Sequence, residues 1–254
     1  MSFEGLELSI LGPAFIIGLL ILATHVPLGQ EVLKRGIIFI DLAIAQIAGL
    51  GVIVAYRFGW ETHGWEVQLV ALSSALIAAV ALGWLEKHYQ QFQEALIGVT
   101  FILAATASIL LLANNPHGGE SLKDLLVGQI LWITWDQLLP TALVTGFILL
   151  VWFSLRQRLN HLGFYLLFAL AVTSSVQLIG VYLVFASLII PALGSVGHKK
   201  ALLTGYVIGG SGYGLGLTLS SLLDLPSGAV IVWSIACVAF SFKLIMMKGW
   251  KIVE

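Results

Sequence analysis

Charge is what this sequence has least of. Of its 254 residues only 10% are charged, against 59% hydrophobic, and the mean hydropathy is +1.01. A water-soluble domain carries about a quarter charged residues. A soluble core is therefore excluded, and a polytopic membrane protein, embedded in lipid, is indicated. The net charge of −1 offers no basic patch for nucleic acid. One cysteine, Cys237, excludes an intrachain disulfide, and its apolar neighbours predict inert packing. No Gly-Lys dipeptide occurs, so there is no P-loop, and any ATP used must be hydrolysed by a partner chain. HExxH, GxSxG and paired-cysteine motifs are also missing, which leaves intramembrane catalysis without support. The opening MSFEGLELSI has Glu4 and Glu7 where a secretory signal would have Lys or Arg, so no cleavable signal is expected.

What is present is a series of long apolar runs: Ile10–Thr24, Gly36–Tyr56, Val67–Leu85, Ala95–Ala113, Gln137–Leu155, Leu162–Val196, Ala201–Leu223 and Ser227–Phe242. One helical crossing needs about 17–25 residues. Leu162–Val196 has 35, too many for one crossing and enough for two short ones. Lys and Arg stay on the cytoplasmic side, which tests the choice. With that run as one span and the C-terminus inside, seven basic residues fall inside and five outside. Turned back at Gly180 as a hairpin, with nine spans and the N-terminus outside, ten fall inside and only Arg57 and Lys123 outside. The hairpin partition is adopted. It also sends eight of the thirteen acids outward, Glu120 and Asp224 among them. The glycines of GYVIGGSGYGLG, Gly205–Gly216, predict close backbone approach between helices.

Polar residues inside apolar runs are the candidates for function. RGIIFIDLAIAQIAGLG, Arg35–Gly51, holds Asp41 and Gln46. A carboxylate in lipid costs at least about 2.5–3 kcal/mol. In a helix running from Gly36, Asp41 lies roughly 9 Å from Arg35 and Gln46 about 7 Å deeper. Their directions differ by about 140°, so one helix does not aim both at one ion. Two readings stay open: lining a cation path, or bonding to a neighbouring helix. Oxygen ligands suit a hard or weakly held cation better than tightly bound zinc. His117 and Glu120, in the outer loop NNPHGGESLKD, could ligate a transition metal, contact a binding protein, or be solvated. Ser174, Ser175 and Gln177 predict bonds between helices. Glu94 is expected to pair with Lys87 and His88, and His25, His88, His161 and His198 to be solvated at inner span ends.

Five segments in order resemble one family. EVLKRGIIFIDLAIAQIAGLG is similar to a double-basic, Gly-Asp, Ala-His segment; EALIGVTFILAATASILLLA to an acidic-x-Leu-Leu-Gly helix; LVGQILWITWDQL to a Leu-Phe-Gly-Asp-Ile-Leu segment. LIGVYLVFASLIIPA resembles a Val-Gly-x-Leu-Leu to Leu-Ile-x-Pro-Ala hairpin, and LDLPSGAVIVW an Asp-x-Pro-x-Gly helix. These belong to the permease subunits of zinc and manganese ABC importers. The resemblance implies an all-α permease of eight to nine transmembrane helices, one domain over residues 1–254, in the inner membrane with its C-terminus cytoplasmic. It implies a homodimer with an ABC ATPase and a periplasmic or extracellular metal-binding protein, passing a divalent metal. It makes Asp41 the pathway aspartate. It also makes Gly197, His198, Lys199 and Lys200 part of a short helix that docks on the ATPase. The chain departs from the family at three side chains: Ala45 where a histidine follows one turn after the aspartate, Ile40 for a glycine, and Gln129 for an aspartate. A longer amphipathic segment between Arg158 and Leu162 is missing. Two alternatives therefore accompany the importer: a non-conducting anchor or regulator of the same fold, and a permease for a substrate other than a metal.

Overall fold

A computed structural model describes residues 8–60, 64–112, 118–155 and 158–250. Among the described residues the chain is helical throughout, without strands. In order, the helices are α1 Leu8–Arg35, α2 Ile40–Arg57, α3 Trp65–His88, α4 Gln93–Leu112, α5 Gly118–Val127, α6 Leu138–Leu155, α7 His161–Gly194, α8 Ala201–Leu223 and α9 Ser227–Trp250. Seven of the described helices are long and apolar enough to cross a membrane. The glycine-rich α8 is a further helix of 23 residues.

The longest apolar run breaks where the charge partition requires. α7 spans 34 residues, and Gly180 inside it has φ 76° and ψ 163°, a conformation open essentially only to glycine. Two helical segments therefore meet at Gly180. Other boundaries differ from expectation. α2 begins at Ile40, because Gly36 at φ +71° ends α1 and residues 36–39 form turns. α1 runs on past Thr24 to Arg35, through Pro27. Proline at 27 removes the N–H that would bond Ala23. The Tyr206 hydroxyl donates to that freed Ala23 carbonyl at 3.0 Å, which lets the helix continue.

The chain forms two compact units. The first comprises Met1–Arg35, Gln129–Thr145 and Tyr182–Glu254. In it α8 packs on α1 and α9 through the predicted glycines. A Cβ at Gly205 would come within 2.6 Å of Val26, and one at Gly209 within 2.6 Å of Leu22. At Gly212 and Gly216 it would meet Ile235 and Ile231 at 2.6 and 2.5 Å. Tyr213 is fully buried, its hydroxyl 2.8 Å from Ser187 Oγ. α9 buries Ile231, Ile235 and Ala239 on one face, which leaves Cys237 exposed rather than packed as expected.

The second unit comprises Gly36–Gly128 and Gly146–Val181. Here α2 packs against both α3 and α4 and is buried on most of its circumference. Gly51 lets it approach Ser74 on α3, and Gly49 admits Leu125 of α5. Gly128, at φ +69°, and Gly180 meet backbone to backbone: a Cβ on Gly180 would lie 2.6 Å from the Val127 carbonyl carbon. Trp152 of α6 and Phe164, Tyr165 and Phe168 at the start of α7 form an aromatic cluster. Gln93 donates to the Tyr165 hydroxyl at 2.9 Å, and His161 Nδ1 lies 3.2 Å from Glu86.

Candidate functional site

Asp41 stands in the first turn of α2 and is 1% exposed. Neither carboxylate oxygen reaches a hydrogen-bond partner among the described residues. Among the described residues, no neighbouring helix holds Asp41 by a polar bond. A helix N-terminus favours negative charge, by about 0.3–1 kcal/mol at the surface, and that much the fold provides. It falls short of the cost of burying a carboxylate in lipid. Gln46 is 2% exposed, and its side-chain carbonyl oxygen also lacks a partner among the described residues. Ala45, one turn after Asp41, is buried and apolar.

The turn leading into α2 is held by a second carboxylate. Glu94, at the start of α4, accepts the Ile38 N–H at 2.9 Å. The expected pairing with Lys87 and His88 is replaced, because the Ile38 N–H, in the turn before the Phe39 cap, lies outside the helical ladder and needs an acceptor. His88 instead bonds the Trp84 carbonyl through Nδ1 at 2.8 Å and stacks on the Trp84 ring. α2 thus has one acidic group fixed at its entry and another, Asp41, left unpaired just inside.

The remaining expected residues separate. His117 lies outside the described residues; Glu120 belongs to α5, and its side chain is likewise outside them. Residues 195–200, expected as a short helix, form a run of turns in which Gly197 takes φ +83°. His198 Nδ1 is 3.0 Å from Thr204 Oγ1 and accepts the Lys200 N–H at 3.3 Å. Its ring meets Phe242 edge-on, and Lys243 donates to the Val196 carbonyl at 2.8 Å. Lys199, Lys200 and Val196 stay exposed on this fixed loop. Ser174 and Ser175 bond back to Ala171 in their own helix rather than across helices, the local alternative open to a helical serine. Gln177 Nε2 is buried without a partner among the described residues.

His25 departs furthest from its expected place. Solvation at a span end is the expectation, but α1 continues past it and the residue is 0% exposed. The sequence signal for this is slight: a Thr-His pair just before Pro27, beyond a run already nearly long enough to cross. Among the described residues, no three His, Cys, Asp or Glu side chains come together as a metal-holding group.

The family model for the ABC 3 transport family matches residues 7–164 and 154–247. A manganese transport system membrane protein, MntC of Halalkalibacterium halodurans, is 25% identical over 124 residues, 49% of this chain and 41% of that protein. The chain spans about half the length of the curated relatives it matches. Among solved structures, PsaBC from Streptococcus pneumoniae in complex with Fab superposes with a TM-score of 0.71 at 22% identity, covering 96% of this chain and 91% of that one. A metal-chelate type ABC transporter in an inward-facing conformation gives 0.64 at 18% identity, covering 92% and 85%. The all-α, multi-pass fold and the family match over nearly the whole chain agree: this protein belongs to the ABC 3 transport family.

Proposed function

We propose that this chain is the permease subunit of an ABC importer and passes a divalent metal ion, zinc or manganese, through the inner membrane. A separate ATPase supplies the energy, and a periplasmic or extracellular binding protein delivers the ion. Two copies of the permease form the path. The observation that carries this reading is Asp41: a buried carboxylate with no partner among the described residues, in a chain of this family. No described cation bonds to it, and a passing cation supplies the balance. The ligand set supports weak binding. Asp41 and Gln46 offer oxygen from different sides of α2, not together to one ion, and Ala45 offers nothing, so the ion is not trapped. A conduit needs a site from which the ion can leave. The exposed Lys199 and Lys200, on a turn fixed by His198 and Gly197, are the surface that meets the ATPase. His117 and Glu120 belong to the face that meets the binding protein.

Asp41→Asn tests the reading, since it keeps the volume and removes the charge. In membranes reconstituted with the cognate ATPase and binding protein, uptake of radioactive zinc or manganese should fall at least tenfold while the assembled protein is recovered at wild-type yield. Uptake at the wild-type rate would remove Asp41 from the path.

A further inference from the structure

His25 lies 17 residues after the start of α1 and ten before its end, roughly 15 Å from Arg35 along the axis. It is wholly buried. Its Nδ1 is 3.0 Å from the Ile21 carbonyl oxygen and 3.0 Å from Thr24 Oγ1. Thr24 Oγ1 also donates to the Ile21 oxygen, at 3.0 Å. A carbonyl oxygen only accepts, so the proton of the neutral ring sits on Nδ1 and points at Ile21. That assignment leaves a lone pair on Nε2. Nε2 is buried and has no hydrogen-bond partner among the described residues.

This hydrogen bonding matches that of metal-ligating histidines. Such a histidine donates its other ring N–H to a carbonyl or carboxylate, which fixes the tautomer and turns the lone pair outward. A merely packed side chain at this depth would be cheaper as an apolar residue, because an ionisable group in lipid carries a cost.

We infer that His25 Nε2 is a nitrogen ligand for the divalent cation in transit, supplied from α1. The inference rests on the importer reading above. A single imidazole binds weakly, in keeping with passage rather than storage. Imidazole suits zinc better than manganese, which prefers oxygen donors, so His25 would tilt the path toward the softer ion.

Asparagine separates the two ring nitrogens. In His25→Asn the amide N–H₂ reaches the place of Nδ1 and can still donate to Ile21, while nothing reaches the place of Nε2. Two readouts apply to the reconstituted transporter: uptake of zinc and of manganese, and the rise in unfolding midpoint on adding zinc alone. Zinc uptake should fall tenfold or more in His25→Asn, manganese uptake by less than threefold, and the zinc-dependent rise should vanish. Equal zinc uptake and an unchanged rise would overturn the inference. If His25→Asn fails to reach the membrane, His25→Leu, which offers no ligand atom, decides through the same zinc-dependent rise; a rise of wild-type size would overturn it. Normal zinc uptake in His25→Asn beside loss of uptake in Asp41→Asn would sink His25 alone and leave the importer standing. No metal uptake by the wild-type complex would sink both.

Discussion

Glu94 holds the entry to α2 through one bond to the Ile38 N–H, 56 residues earlier in the chain. A charged acceptor at a helix start is worth about 1–2 kcal/mol, between a neutral cap and a charge-assisted bond. Glu94→Ala should therefore lower the unfolding midpoint of the detergent-solubilised protein, and Glu94→Gln, which keeps an acceptor, by clearly less. Equal losses would mean that the charge, not the bond, matters. The comparison also bears on Asp41, because the turn that Glu94 fixes sets where α2 begins. Asp41 and His25 share a condition rare in folded proteins: buried polar atoms with nothing to bond among the described residues. One is a carboxyl group and the other a lone-pair donor, and each can ligate a cation.

At the scale of elements, the crossing of Gly128 and Gly180 is the contact that tolerates least change. Both residues have positive φ, and each backbone occupies the space a Cβ on the other would need. Gly180→Ala should cost about 3 kcal/mol or more, from backbone strain and steric overlap together. Gly146→Ala is the control. It lies inside α6 with open space at its Cβ, and alanine there should be neutral or stabilise by up to about 1 kcal/mol. The measurement is the yield and unfolding midpoint of each variant in detergent; matching values would deny the crossing its structural role. The glycine stripe of α8 works in the same way: toward α1 it meets the side chains of Val26 and Leu22, which can shift, but toward α9 a Cβ at Gly216 or Gly212 would lie 2.5 or 2.7 Å from the Cα of Ile231 or Ile235.

At the scale of the whole molecule, the partition of basic residues predicts which face is which. It puts residues near Gly180 outside and Lys200 inside. In a Cys237→Ala background, a cysteine at Tyr182 should label from the outer side of intact cells. Tyr182 is 54% exposed, so access is not limiting. A cysteine at Lys200 should label only after permeabilisation. The reverse pattern would invert the chain and with it the direction in which Asp41 faces.

Much of this protein is legible in its amino acids alone. Composition places the chain in lipid, because transfer free energy depends on residue type and not on neighbours. The break at Gly180 and the close approach along α8 are legible too, since glycine sets local backbone freedom wherever it stands. Asp41 stands out as an expensive residue. Tertiary structure decides the rest. It leaves Asp41 unpaired, turns Glu94 to Ile38, buries His25, exposes Cys237 and opens the segment 195–200 into turns. In a water-soluble helix an apolar stripe marks the buried face. α4 and α6 are apolar all round, so lipid-facing and protein-facing sides look alike in sequence. Which side is buried, and which polar atom finds a partner, depends on residues distant in the chain that only packing brings near.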